Sequence, residues 1–430
     1  MESKPRGRRV REAAQKRART GGLYAFTLGK WLVCALILGL VCGLIGSAFY
    51  YCIGWATELR GSRGWLVYLL PAAGIVIVAL YRLCGVKNDE GTNLVLNSIR
   101  AENNIPLNMT PLIFTGTVLT HLCGGSAGRE GAALQIGGSL GTALGRLFRL
   151  DEKDLHIITM AGMSALFAAL FGTPVTAAVF SMEVISVGVV YYAAFLPCVI
   201  ASATAALIAN GVFHIAPTAF SVGLMQGASW DVLLRAGALA AGCALVSIVF
   251  VSCLHGAGRL YRRYLKNPYV RAAAGGAVIV LLTLLLGTRD YNGAGADVIA
   301  RAVEGGSAKW YAFALKIVFT ALTIGAGFKG GEIVPTFFVG ATFGCAFGGL
   351  LGLDPGFAAA LGLVGMFCAV VNCPLASLAL SVELFGGGSI LVFALVCAVS
   401  YLLSGYYSLY SGQHIVYSKL RAEYVNRTTH

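Results

Sequence analysis

The sequence predicts an all-α membrane protein that crosses the bilayer many times. Hydrophobic residues make up 57% of the 430-residue chain and charged residues only 12%, whereas soluble domains carry roughly 25% charged residues. The mean hydropathy is +0.76. Because a span needs about 20 apolar residues, the length allows on the order of ten to fifteen membrane-embedded helices. No long polar segment remains that could form a second domain.

The first element is a basic tail, which we place at residues 1–28. Residues 1–20 hold eight Lys and Arg residues against two Glu residues. Nucleic-acid binding is one interpretation of such a tail. Beside a first membrane span, however, positive charge marks the cytoplasmic side and attracts anionic lipid. We therefore expect a multi-pass protein of the cell membrane with a cytoplasmic N-terminus, contact with the lipid bilayer and no nucleic-acid partner.

An internal repeat divides the membrane domain that we place at residues 29–425. Residues 171–186 align with residues 371–386, and each copy carries a proline, a serine and a glutamate in register. The matched pairs are Pro174 and Pro374, Ser181 and Ser381, and Glu183 and Glu383. The two copies are about 200 residues apart. This offset predicts two halves with the same arrangement of helices, at about 29–225 and 226–425, before a C-terminal tail at 426–430. In transporters such halves are often inverted and contain discontinuous helices.

The glutamates of this repeat and one further glutamate receive different interpretations. Glu183 and Glu383 are predicted to be structural, bonded to backbone N–H groups where a helix breaks. Glu130 lies with Arg129 in a glycine-rich stretch, 124–141, between apolar segments. Lipid tolerates a charge only along a water-filled path or inside protein. We expect Glu130 to line a permeation pathway rather than to pair with Arg129, because neighbours on a helix do not face each other.

Three glycine-rich loops are candidate anion sites, since each precedes or opens an apolar segment. A helix N-terminus offers free backbone N–H groups and a positive dipole end, so it binds anions without a full positive charge. Neither a metal nor a cofactor is expected, because no pair of histidines has metal-ligand spacing and no C-x-x-C occurs. The loop residues that we predict to bind the anion are Thr92, Asn93, Gly128, Arg129, Gly131, Ile333 and Val334.

The order of the motifs resembles the CLC family of chloride channels and anion/proton exchangers. The motifs are GTNL at 91–94, GREGAALQIGG at 128–138, GGEIVPTFF at 330–338 and VYS at 416–418. The resemblance extends from about residue 30 to residue 425 and implies a homodimer with one pore per subunit. Glu130 then matches the gating glutamate, and Tyr417 the tyrosine whose hydroxyl donates to the central anion. Thr92 and Ile333 fall where members contact the ion through a side chain and a backbone N–H.

One departure from the common pattern concerns the coupling to protons, and one similarity to a branch of the family concerns the ion. Val184 follows Glu183 where many chloride/proton exchangers carry an intracellular proton-relay glutamate. The context of Glu130 and the segment FKGGEIVP at 328–335 are similar to the branch that includes bacterial fluoride/proton antiporters. The resemblance therefore implies transport of chloride or fluoride, coupled to proton exchange, by a protein that is not an enzyme. A passive voltage- or pH-gated chloride channel is the alternative.

Two other classes of function are disfavoured by the same residues. The segment 124–128 matches the G-x-S-x-G pattern of hydrolases, which would make Ser126 a nucleophile. That motif requires a strand-turn-helix context, whereas here an apolar helix precedes it. A cation pathway lined by Glu130, Glu183 and Glu383 would need acidic rings, whereas the glycine-rich helix starts favour anions.

Overall fold

The computed structural model describes residues 6–86, 90–101 and 105–429. Within this part of the chain there are sixteen α-helices and one small sheet of three strands. Residues 1–5 of the predicted basic tail and residue 430 of the predicted C-terminal tail lie outside the described residues. The all-α membrane class is confirmed, and the short sheet is an addition that the sequence did not suggest.

The helices fall into two successive sets of eight. The first set is α1 Arg6–Ser62, α2 Leu70–Leu83, α3 Thr92–Ala101, α4 Met109–Leu122, α5 Glu130–Leu147, α6 Glu152–Phe171, α7 Pro174–Glu183 and α8 Phe195–Gly211. The second set is α9 Trp230–Tyr264, α10 Pro268–Leu286, α11 Ala296–Val303, α12 Ala312–Gly325, α13 Ile333–Gly348, α14 Pro355–Val371, α15 Pro374–Phe385 and α16 Ile390–Leu403. The predicted division at residues 225 and 226 falls between α8 and α9.

The first helix joins the basic tail to the membrane domain without a break. Helix α1 runs from Arg6 to Ser62, so the boundary predicted at residues 28 and 29 is not the end of an element. Residues 20–62 are long and apolar enough to cross a membrane. A bilayer core of about 30 Å needs about 20 helical residues, so this helix extends well beyond the hydrocarbon on at least one side.

Many helices are too short to cross the membrane. Among the described residues, seven helices are long and apolar enough to span it. Helix α7 has 10 residues and α15 has 12; at 1.5 Å per residue each covers only about half of the hydrocarbon core. Such helices must begin or end at depth, where protein rather than lipid surrounds their termini. The predicted discontinuous helices are therefore present.

Equivalent contacts recur in the two halves about 200 residues apart. In the first half the Cys42 thiol approaches the carbonyl of Gly162 at 4.0 Å, and in the second half the Cys243 thiol approaches that of Gly362 at 3.9 Å. Helix α5 packs on α6 as α13 packs on α14. A Cβ on Gly137 would overlap the carbonyl of Gly162, so glycine is required for this approach of two backbones.

The small sheet closes the end of the chain onto the first half. Strand β1 (Ser186–Val187) follows α7 and pairs in parallel with β2 (His414–Tyr417), and β2 pairs antiparallel with β3 (Tyr424–Thr428). The register places Ser186 beside His414 and Tyr417 beside Tyr424. This pairing fixes the segment between α16 and β2, which carries part of the site.

Candidate functional site

The site is built where one glycine loop of each half meets its counterpart. The N–H of Gly128 donates to the carbonyl of Gly331 at 2.7 Å, and the N–H of Gly331 donates to the carbonyl of Gly128 at 2.8 Å. These two bonds form an isolated antiparallel bridge. Helix α5 begins two residues after Gly128 and α13 two residues after Gly331. The bridge therefore brings two helix N-termini together inside the protein.

The carboxylate of Glu130 lies between these two N-termini. Glu130 is fully buried, and its Oε2 accepts the backbone N–H of Arg129 at 2.9 Å. The backbone N–H groups of Glu130 itself and of Val334, in the first turn of α13, also face the carboxylate. A Cβ on Gly128 would overlap Oε2, so glycine leaves the space that the carboxylate fills. The carboxylate occupies a site made for an anion.

Arg129 contacts Glu130 after all. Its Nε lies 3.6 Å from Glu130 Oε1, and its guanidinium lies over the ring of Tyr50 at 4.5 Å. The expectation that the two neighbours would not face each other was wrong because Arg129 is the residue before α5, not a residue within it. Its side chain can therefore turn back along the helix start. Arg129 adds positive charge beside the carboxylate.

Three polar side chains lie around Gly131, next to the bridge between Gly128 and Gly331: those of Thr92, Gln135 and Glu332. The Thr92 hydroxyl lies 3.4 Å from the carbonyl of Gly131 and 3.5 Å from Gln135 Nε2. A Cβ on Gly131 would stand 3.1 Å from the Thr92 hydroxyl and 3.2 Å from Glu332 Oε2. Thr92, Gln135 and Glu332 all line a cavity of about 660 Å³. Polar side chains from α3, from α5 and from the residue before α13 thus converge beside Gly131.

Tyr410, and not Tyr417, supplies the buried hydroxyl of this cavity. Tyr410 is 1% exposed and lines the cavity; its hydroxyl has Glu332 and Glu130 as electrostatic neighbours and donates to no acceptor among the described residues. Tyr417 is 48% exposed, and its ring packs on Tyr424 of the neighbouring strand with a centroid distance of 6.0 Å. The structure therefore does not bring Tyr417 to the other predicted site residues.

Asn93 holds the loop that carries Tyr410. Its side-chain Oδ1 accepts the N–H of Gly412 at 2.8 Å, although Asn93 was predicted to bind the anion itself. From the other side, Gln413 Nε2 donates to the carbonyls of Val184 and Val371, each at 2.9 Å. These carbonyls follow α7 and end α14, so the loop is bonded to both halves. Val184, at the position of the proton-relay glutamate, takes part through its backbone only.

Ser126 has a structural environment. Its hydroxyl lies 3.1 Å from that of Thr320, and its N–H donates to the hydroxyl of Thr323 at 3.1 Å. Both threonines belong to α12 of the other half. The contact joins the halves next to the bridge, and within the described chain Ser126 bonds to threonines and not to a histidine or carboxylate that could act as a general base.

The sequence-based interpretation missed three contributors to the cavity. Gln135 is an amide in an otherwise apolar run, and that contrast was a usable signal. Glu332 directly follows the bridging Gly331 and is the residue before α13, so its counterpart in the first half is Arg129; its place in a glycine-rich loop was a usable signal. Tyr410 had no signal of its own, because Tyr406, Tyr407, Tyr410 and Tyr417 all lie in the same segment.

The fold and site together define a helical membrane protein of the anion-transporting class, with a buried carboxylate where two helix N-termini from its two halves meet. The chain belongs to the voltage-gated chloride channel (CLC) family, whose sequence profile matches residues 73–405. It is 36% identical over 404 residues to the chloride/fluoride channel protein of Pseudomonas syringae pv. tomato, covering 91% of this chain and 88% of that one. The family expected from the sequence is therefore confirmed.

Solved structures agree with this assignment. The crystal structure of a CLC-type fluoride/proton antiporter matches with a TM-score of 0.87 and 33% sequence identity, covering 90% of this chain and 98% of that chain. A slow cyanobacterial chloride/proton antiporter matches with a TM-score of 0.75 at 19% identity, covering 87% of this chain and 94% of that chain. The second likeness shows the fold alone.

Proposed function

We propose that this protein exchanges a halide for protons across the cell membrane, with fluoride preferred to chloride. The observation that carries the proposal is the position of the Glu130 carboxylate at the joined N-termini of α5 and α13. A carboxylate and a halide compete for the same N–H groups, and a proton decides the competition because it removes the charge of the carboxylate. Each exchange cycle therefore couples movement of the anion to protonation of the Glu130 carboxylate.

The halide is then held on the cavity side of the bridge. The hydroxyls of Thr92 and Tyr410 and the N–H of Ile333 are the donors that we assign to it. Tyr410 supports this role because its buried hydroxyl leaves a donor unused in the described structure, and a buried donor without an acceptor costs about 1–3 kcal/mol. Several weak contacts of this kind bind an ion and still allow it to leave.

Glu332 offers a second protonatable group on the inner side. Its carboxylate lines the cavity and neighbours the Tyr410 hydroxyl, whereas Glu130 lies at the bridge. Protons can therefore be taken up without the relay glutamate that Val184 replaces. The preference for fluoride rests on the relatives at more than 30% identity, one named a chloride/fluoride channel protein and one described as a fluoride/proton antiporter.

We propose that the N-terminus and the cavity face the cytoplasm. Helix α2 follows α1 after a short connection and ends at the mouth of the cavity, near Arg82. Its C-terminal end therefore lies on the same side as the start of α1. Arg262 and Arg271 line the same mouth, and positive residues beside membrane spans mark the cytoplasmic side.

We also propose that two copies form a homodimer through the face of α7 and α15. Val175 and Leu375 occupy equivalent positions in the first turns of these helices and are 57% and 52% exposed. A symmetric apolar face suits a two-fold interface. The detergent-corrected mass from light scattering should be twice the 44.9 kDa of one chain; a particle of one chain would contradict the dimer.

The exchange is tested with purified protein in liposomes loaded with fluoride or chloride. Valinomycin and potassium compensate the charge, and external halide and external pH are followed together. We expect fluoride efflux to carry protons inward against their gradient and to exceed chloride efflux at least tenfold. The Glu130→Gln variant has no carboxylate to carry the proton, so proton movement should stop even where halide flux persists.

Other outcomes decide against parts of the proposal. Halide flux without proton movement in the unmodified protein would make it a passive channel. Faster chloride than fluoride efflux would overturn the choice of ion. Efflux no greater than from protein-free liposomes, for either ion, would refute halide transport itself.

A further inference from the structure

The cytoplasmic cavity is larger and more positive than a halide pathway requires. Its volume of about 660 Å³ lies within the roughly 300–1,000 Å³ of sites for small organic molecules. A water-sized ion takes only about 30 Å³ of liquid volume. Among the residues that the structure describes, four cationic side chains line the cavity against two carboxylates: Arg82, Arg262, Arg271 and Lys329 against Glu90 and Glu332.

The cations are arranged at two depths. Arg82 and Arg262 are exposed at the rim, and Arg271 and Lys329 are half-buried further inside. Aromatic rings hold two of them: the Arg82 guanidinium lies 5.3 Å from the Tyr269 ring, and the Lys329 ammonium 4.4 Å from the Tyr81 ring. A polyvalent anion could therefore contact several cations at once.

Two helix ends set the positions of the arginines. His255, Gly258 and Arg262 line the cavity from one face of α9, at a spacing that places them on successive turns. Arg271 lies in the first turn of α10, so the positive end of the helix dipole adds potential at the same wall. Arg262 and Arg271 are electrostatic neighbours of the same sign, and an anion between them relieves their repulsion.

Arg271 has an unused donor. Its Nε is buried and has no hydrogen-bond partner within the described residues. Guanidinium groups bind phosphate oxygens through paired N–H donors, and this geometry makes arginine the preferred partner of phosphate. We propose that the cavity binds a soluble polyvalent phosphate anion and that its occupancy blocks the halide pathway from the cytoplasmic side.

Binding is tested first, with pyrophosphate as the probe and without divalent cations. Isothermal titration of the full chain in detergent, at constant ionic strength, should show one saturable site per chain. The double variant Arg262→Gln/Arg271→Gln should weaken binding at least tenfold. Arg263→Gln is the matched control, because Arg263 is a neighbour on α9 that does not line the cavity, and its binding should equal that of the unmodified chain.

Three results would overturn the site. They are the absence of saturable binding, equal affinity in the double variant, and tighter binding of dihexanoyl phosphatidic acid than of pyrophosphate. The last result would assign the cations to a lipid headgroup instead of a soluble anion. None of these readouts requires transport, so the site can fail or stand independently of the proposed halide exchange.

The block rests on the proposed exchange and is tested in liposomes. With pyrophosphate on both sides, halide efflux should fall at least fivefold for the unmodified chain and for Arg263→Gln. Each variant is compared with its own efflux without pyrophosphate, so changes in basal flux do not matter. The double variant should lose less than half of its efflux. Undiminished efflux from the unmodified chain at saturating pyrophosphate would refute the block.

Discussion

Glu183 of α7 caps the N-terminus of α15, and Glu383 of α15 caps the N-terminus of α7. The carboxylate of Glu383 accepts the N–H groups of Val175 and Thr176 at 3.0 and 2.8 Å. The carboxylate of Glu183 accepts those of Leu375 and Ala376 at 3.1 and 2.8 Å. Each helix of the pair α7 and α15 thus carries in its last turn the carboxylate that accepts the free N–H groups of the other helix's first turn. The structural role predicted for both glutamates is confirmed.

These caps should stabilise the junction between the halves. Glutamine at position 183 or 383 keeps one acceptor oxygen but loses the charge that favours a helix N-terminus. We expect each variant to lose about 1–3 kcal/mol, since hydrogen bonds to charged groups contribute about that much. Thermal unfolding in detergent, followed by size-exclusion fluorescence, should show a lower Tm for Glu183→Gln and for Glu383→Gln.

Glu58→Gln is the control for the caps, because Glu58 is exposed on α1. Its Tm should match that of the unmodified chain. A Tm unchanged in both cap variants would mean that the carboxylates contribute no more than neutral amides. The double variant should show less than the summed loss if the two caps belong to one cooperative contact.

The sequence contained enough information for the fold and for half of the site. Hydropathy and the repeat around Pro174 and Pro374 predicted the two halves, and the glycines around Glu130 predicted the carboxylate at a helix start. The VYS motif pointed to Tyr417, which does not line the cavity, because the position of Tyr410 depends on hydrogen bonds of Asn93 and Gln413 that no sequence motif reveals. Such tertiary contacts leave no local pattern.

Gly128 should control the position of the Glu130 carboxylate. A Cβ there would overlap Glu130 Oε2, and a flexible carboxylate can move away while the backbone stays. We therefore expect Gly128→Ala to displace the carboxylate from the N–H groups. Halide efflux should become several-fold faster at pH 7.5 and lose its dependence on pH between 5.5 and 7.5, as measured with a halide electrode in liposomes.

The control is Gly54→Ala, since a Cβ on Gly54 of α1 meets nothing within 4 Å. It should keep the efflux and pH profile of the unmodified chain. Slow efflux from Gly128→Ala with an unaltered pH profile would show that the carboxylate does not leave its site when crowded.

Lys419 should make stability depend on pH. This residue lies outside the sixteen helices, between β2 and β3, and burial lowers its pKa to about 7 despite the opposing effect of Cys368 and Cys373. The unfolded chain has the ordinary lysine pKa of about 10.4 and so binds more protons between these values. The contribution of Lys419 to stability should therefore rise as the pH increases from 7 to 10 and should be flat below 7.

Lys419→Met removes this titration. Relative to this variant, the unmodified chain should gain several degrees of Tm between pH 7 and 9.5. Lys266→Met, at an exposed position between α9 and α10, should keep the slope. The reverse slope, with stability falling as the pH rises, would mean that the folded state holds the proton more tightly than the unfolded chain does.

Removal of the hydroxyl group should weaken halide binding at Tyr410 but not at Tyr417. Tyr410→Phe removes the buried hydroxyl that faces the cavity, so halide affinity should fall by about tenfold, as one charge-assisted hydrogen bond of about 1.5 kcal/mol is lost. Tyr417→Phe removes a half-exposed hydroxyl from the sheet and should leave halide binding and efflux unchanged. Titration calorimetry with fluoride and chloride measures the first effect, and liposome efflux measures both.

Because phenylalanine preserves the ring in each case, loss of packing does not confuse the comparison. Weakened binding in Tyr417→Phe with normal binding in Tyr410→Phe would restore the assignment made from the VYS motif, and would require the C-terminal strand to move into the cavity.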